Sequence, residues 1–163
     1  MNKYRDSHAL LSTGTYRFAS DSTVSADAQW SFFASKIAGR ANYRWMNAEG
    51  KYLPSNERFI GDLSPARPAA VMIYSADGRA QTICLDFDAK FPSLHDDIAA
   101  CQTWLDSFNV LYVVDQSISG GQHVYIPLSE SMSCVDARYF VEHLATHWKS
   151  LDASPHRVAK LAI

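Results

Sequence analysis

Two carboxylates one residue apart open the chemistry of this chain. Asp86 and Asp88 lie in the run Thr82-Ile83-Cys84-Leu85-Asp86-Phe87-Asp88, and His123 follows Asp88 by 35 residues, just after Gly120-Gly121. Side chains alternate along a strand, so Ile83, Leu85 and Phe87 can enter a core while Asp86 and Asp88 project together from the opposite face. Neighbouring carboxylates repel, and a divalent cation between them relieves the repulsion. Hard oxygen ligands suit Mg2+ or Mn2+ better than zinc. Each residue also has a plainer reading: Asp is common at strand ends, Gly-Gly is common in turns, and a lone histidine is commonly structural. The combination and order of the three favour the functional reading.

The elements that must position these groups can be read from periodicity. Residues 70–74 and 80–88 flank Asp77-Gly78 and predict a hairpin, with the acidic pair at the exit of its second strand. Ser93 is placed to cap a helix through Leu94, Ile98, Cys101, Leu105 and Phe108, with Asp96 and Asp97 in its favourable first turn. Residues 110–115 predict a short strand. Residues 122–128 predict another, with Val124, Ile126 and Leu128 on one face and His123 and Tyr125 on the other. Ser133 is placed to cap a second helix carrying Ala137, Phe140, Val141, Leu144 and Trp148, with Lys149 near its dipole-negative end. Residues 25–39 predict a further helix, and 47–68 a connecting loop inside the domain.

At 163 residues, 47% hydrophobic and 12% aromatic, the chain is long and apolar enough to bury a core. A net charge of -2 and a pI near 6.3 do not mark a general nucleic-acid binder, so any such role needs a local basic surface. Cys84, Cys101 and Cys134 are odd in number, dispersed and set in apolar patterns. They read as free thiols in a reducing cytoplasm, with no zinc spacing among them. No apolar run is long enough to cross a bilayer and the first residues lack a signal-peptide pattern, so a cytoplasmic protein is expected. His143 and His147 have a metal-ligand spacing without a third ligand, and read as solvent-facing.

In order, the chain offers Leu85-Asp86-Phe87-Asp88, then Ser119-Gly120-Gly121-Gln122-His123, then Leu151-Asp152, 29 residues after His123. This series resembles the archaeo-eukaryotic primase superfamily, including the primase-polymerases of plasmids, phages and other mobile elements. Their core carries an acidic pair, a Ser-x-His-type motif, and a third carboxylate after an apolar residue. The resemblance spans residues 70–152. It implies an α/β (α+β) fold, RRM-like, with a central, largely antiparallel sheet that carries the acidic pair and His123 on one face and helices on the other.

It further implies primer synthesis or extension from nucleoside triphosphates on a single-stranded DNA template, with Asp86, Asp88 and Asp152 holding two Mg2+ or Mn2+ ions. His123, with Ser119 and the backbone of Gly120 and Gly121, is expected to grip the triphosphate, with Lys90 and Arg157 as further phosphate ligands by position. Arg40, Tyr43, Arg44 and Trp45 supply the cation and aromatic mixture suited to the template strand. The expectation is one catalytic domain over 1–163, the N-terminal part of a longer replication protein with a helicase domain or subunit as partner. The Arg-Pro-Pro-Gly-like segment common after the third motif in plasmid and phage members does not occur before Ile163. Two alternatives stay open: a primase-like DNA-binding module without catalysis, and a metal-dependent nuclease using the same acidic face.

Overall fold

A computed structural model describes residues 35–45, 47–49, 51, 69–117 and 119–157. In chain order these form β1 (Tyr43–Trp45), β2 (Ala69–Val71), β3 (Arg79–Phe87), α1 (Leu94–Ser107), β4 (Val113–Gln116), β5 (Gln122–Ser133), α2 (Cys134–Leu144), β6 (Leu151–Asp152) and a 3-10 turn, Ser154–His156. The main sheet has the order β4-β5-β3-β6, and every neighbouring pair is antiparallel. A separate two-stranded sheet pairs β1 with β2. The expected mixed fold, an antiparallel sheet with flanking helices, is therefore present. Most of the helix expected over 25–39 lies outside the described residues, although 35–37 are helical.

Alternation along β3 builds the core. Ile83, Leu85 and Phe87 are buried in one cluster with Val114, Val124 and Ile126 of the sheet, Leu94, Ile98, Cys101 and Leu105 of α1, and Ala137, Val141 and Leu144 of α2. Val114, Val124 and Leu85 are register partners across three strands, so both helices cover the face to which they point. Among the described residues no helix is long and apolar enough to cross a membrane.

Local chemistry explains the ends of the elements. The Ser133 hydroxyl oxygen accepts from the Asp136 N–H at 3.1 Å and caps α2. Ser93 precedes α1 as expected, but its hydroxyl donates to Asp97 Oδ2 instead of capping a backbone group. Phe108, expected on the buried stripe of α1, is 65% exposed, because the helix stops one residue earlier. Asn109 takes a left-handed φ of 53°, while the N–H groups of Asn109 and Val110 close on the carbonyls of Asp106 and Leu105. That is a Schellman stop, and it swings Phe108 off the apolar face. Lys149 likewise lies beyond the end of α2 and not in its last turn.

The hairpin expected before β3 forms only in part. Its turn is present, with Gly78 at φ 75° and the Ser75 N–H donating to the Arg79 carbonyl. Tyr74 and Ala80, however, make an isolated bridge, and β2 pairs with β1 in place of β3. The neighbours of β3 are instead β5 and β6, which is what gathers the polar residues described next.

Candidate functional site

On the face of the sheet turned away from the helices, four polar side chains stand in one transverse row. Asp86 of β3 is the register partner of His123 on β5 and of Asp152 on β6, and His123 is the partner of Asp115 on β4. The row therefore reads Asp115, His123, Asp86, Asp152 across the whole sheet. The Asp88 N–H donates to the Ser150 carbonyl at 2.8 Å, which makes Asp88–Ser150 and Asp86–Asp152 hydrogen-bonded pairs. On the other edge of β3, Asp86–His123 is then a non-hydrogen-bonded pair, the type whose side chains approach most closely. His123 Nε2 lies 3.5 Å from Asp86 Oδ1, and Nδ1 lies 3.7 Å from Asp115 Oδ2.

All three of these side chains are partly sheltered, at 31% exposure for Asp86, 25% for His123 and 22% for Asp115. Burial raises the Asp86 pKa, and the charges of Asp152 and Asp88 raise it further, while His123 and Lys90 pull the other way. For His123, burial disfavours the imidazolium, but Asp115 and Asp86 outweigh it and leave the pKa raised. At 3.7 Å Asp115 is an ion-pair partner and not a hydrogen-bond acceptor, so the buried Nδ1 has no hydrogen-bond partner. One row further along β3, Cys84 faces Tyr125. Burial pushes both of their pKa values up, so neither supplies an anion.

Asp88 stands just past β3, where its Oδ1 accepts from the Lys90 N–H at 3.0 Å and its Oδ2 lies 2.6 Å from Lys90 Nζ. Those bonds hold the Asp88 carboxyl below its usual range and raise the Lys90 pKa. Asp152 accepts from Ser154 with both oxygens, from the N–H at 2.8 Å and the hydroxyl at 2.9 Å. Among the described residues no three His, Cys, Asp or Glu side chains stand ready to hold a metal ion. Two of the three expected carboxylates are engaged with neighbours in their own chain segments.

The Gly-Gly turn closes against the end of β3. Gly120 has a φ of 90°, and a Cβ on Gly121 would lie 2.4 Å from the Phe87 carbonyl oxygen, so each glycine is required by the backbone. The Gly120 N–H donates to the Ser117 carbonyl at 3.0 Å, and the Ser119 hydroxyl pairs with that of Ser117 at 2.8 Å. Of the expected phosphate ligands, the turn thus already uses the Gly120 N–H itself. Arg157 lies elsewhere: its Nε is 3.6 Å from Glu142 Oε1 of α2, the helix on the opposite face. Arg40 and Arg44 are exposed, Arg44 on β1, and no register ties that strand to the row. Tyr43 and Trp45 belong to β1, and their side chains lie outside the description. His143 and His147 are exposed, their rings stacked edge to face at 5.2 Å.

Sequence reasoning missed Asp115. Its signal was parity: Asp115 and His123 frame the turn at 117–121, so a hairpin closed there pairs them. No protein-family model matches the chain, and no curated protein matches it significantly.

Proposed function

We propose that this chain is a DNA primase-polymerase domain, adding nucleotides to a primer or starting one on a single-stranded template, in the cytoplasm and as part of a mobile-element replication protein. The observation that supports the reading is the row itself: Asp86, His123 and Asp152, from three distant sequence segments, are consecutive register partners on the face turned away from α1 and α2. Asp88 and Lys90 lie close enough to Asp86 for their charges to act on it, and the Ser119–Gly121 turn packs against Phe87 and Ala89 beside it. The pKa of Asp86 is raised first by burial and then by the neighbouring Asp152 and Asp88 carboxylates, which His123 and Lys90 offset only in part.

That crowding suits a divalent cation, and oxygen donors suit Mg2+ or Mn2+. Asp86 would be one ligand; Asp88 would be available to a cation on releasing Lys90, and Asp152 on turning from Ser154. Bound there, the metal would lower the barrier to attack by the 3'-hydroxyl and neutralise the departing pyrophosphate. His123, held between two carboxylates, presents Nε2 on the Asp86 side, where a phosphate oxygen can take its proton in a charge-assisted hydrogen bond. Lys90, once freed from Asp88, is an exposed cation close enough to Asp86 and Asp152 to feel their charge.

The test is incorporation of labelled nucleotide on primed and unprimed single-stranded DNA with Mn2+. Wild-type protein incorporates, and Asp86→Asn and His123→Ala lower the rate at least 100-fold while the far-ultraviolet circular dichroism is unchanged. Equal rates in both variants overturn the reading. The bonds that occupy Asp88 and Asp152 favour a second reading, a DNA-binding module without catalysis. Binding of single-stranded DNA with no incorporation identifies it, and release of nucleotides from DNA without triphosphates identifies a nuclease.

A further inference from the structure

A strand of only two residues, extended by the single Asp88–Ser150 backbone hydrogen bond, carries Asp152 and sets it against a like charge. β6 consists of Leu151 and Asp152 alone, and its second residue sits directly across from Asp86. Facing carboxylates in a cross-strand pair are destabilising. Side-chain contacts at both ends add to that short ladder. At its N-terminal end the Asp97 Oδ2 of α1 accepts from both the Ser150 N–H, at 2.8 Å, and the Ser150 hydroxyl, at 2.7 Å. At its C-terminal end the chain turns through Ser154–His156, and the His156 side chain returns to β3.

His156 is fully buried and lies against the edge of β3 that β6 leaves open. The Cys84 N–H donates to its Nε2 at 3.0 Å, and the same nitrogen lies 3.1 Å from the Cys84 carbonyl. Parity makes Cys84 the next hydrogen-bonded position along that edge after Asp88 and Asp86. The imidazole therefore stands where a third residue of β6 would have paired. Its other nitrogen, Nδ1, meets the Tyr74 hydroxyl at 2.6 Å, so both ring nitrogens are satisfied inside the protein. Ring edges confirm the fit, Tyr74 and His156 packing T-shaped at 5.6 Å.

We propose that His156 is a positioning residue for Asp152, its ring substituting for the missing end of β6 and locking that carboxylate opposite Asp86. The proposal deepens the polymerase reading and rests on it for the consequence in catalysis, but not for the lock itself. His156→Leu keeps the core filled and removes both hydrogen bonds. His156→Gln restores a donor and an acceptor at the end of a side chain of similar reach.

Two readouts separate the lock from the function: amide hydrogen exchange at Cys84, Asp152 and Ala153, and Mn2+ affinity by electron paramagnetic resonance. In His156→Leu those amides are expected to exchange at least 10-fold faster and Mn2+ affinity to fall about 10-fold, the loss expected when an outer-shell partner is removed. His156→Gln recovers most of both. Exchange and Mn2+ affinity equal to wild type in a folded His156→Leu protein overturn the proposal. If wild type binds no Mn2+ and incorporates no nucleotide, the polymerase reading fails while faster exchange still supports the lock. If His156→Leu does not fold, Tyr74→Phe decides: it removes one bond, faster exchange at Cys84 supports the lock, and unchanged exchange overturns it.

Discussion

Individual titrating groups in this protein differ because each meets a different neighbour. Asp86 is raised by burial with other carboxylates adding to the effect, whereas Asp88, two residues on, is lowered by hydrogen bonds from Lys90. A motif of two equal aspartates thus becomes an unequal pair, with Asp86 the one whose ionised form burial disfavours. His156 has the clearest consequence for stability. Burial pushes its pKa down to about 4 from the ordinary 6.5; the groups facing it, the Tyr74 hydroxyl and the Cys84 backbone, carry no charge, and the Cys84 hydrogen bond offsets only part of the shift. Tyr74 is itself pushed up to about 12 by burial and by Cys134. As pH falls from 6.5 the unfolded chain protonates this histidine first, so stability is lost down to about pH 4 and then levels off. The loss is about 3 kcal/mol at roughly 1.4 kcal/mol per pH unit. Urea unfolding of wild type and His156→Leu at pH 7 and pH 4.5 checks this, because the variant lacks that component.

Short elements and their caps decide which side chains meet. Gly121→Ala forces a Cβ into the Phe87 carbonyl, and unfolding measurements are expected to show a loss of about 1–3 kcal/mol, the usual cost of overpacking. Ser119→Ala, in contrast, removes only an exposed hydroxyl pair and stays within about 0.5 kcal/mol. A Gly121→Ala protein as stable as wild type would show that the turn does not need its glycine. Ser133→Ala removes the cap of α2 and is expected to cost about 1 kcal/mol by the same measurement.

Helices and the long strands were readable in the sequence because amphipathic spacing and Ser caps act locally. The buried residues of α1 and α2 are among those that their periodicity marks, but Phe108 is turned outward by the left-handed Asn109, and Phe140 and Trp148 are only partly buried, Trp148 lying past the end of α2. Pairing was not readable to the same degree. The choice of β1 over β3 as the partner of β2, and the stand-in of His156 for a strand end, depend on contacts between distant segments that local pattern does not carry.

At the scale of the whole molecule, the sheet converts three remote sequence motifs into one row. Asp86 and His123 needed only strand parity to be anticipated on one face, and Asp152 needed the antiparallel return of β6 to meet them. Asp115 escaped notice because an isolated Asp at the end of a short strand has no distinctive spacing. The molecule carries a net charge of -2, and the row contributes three carboxylates to one histidine. Such a surface repels a triphosphate unless cations intervene, so nucleotide binding is expected to depend wholly on divalent metal. Chelation with EDTA should abolish triphosphate binding in equilibrium dialysis, and retention of binding would point to recognition by side chains alone.

The most direct measurement is a crystal structure of the chain soaked with Mn2+ and a non-hydrolysable nucleoside triphosphate. The account predicts anomalous Mn2+ density on Asp86, with Asp88 turned from Lys90 and Asp152 from Ser154, and a triphosphate oxygen within hydrogen-bond distance of His123 Nε2. Density for metal and triphosphate away from this row, or none at saturating concentration with Asp88 and Asp152 unmoved, would contradict it.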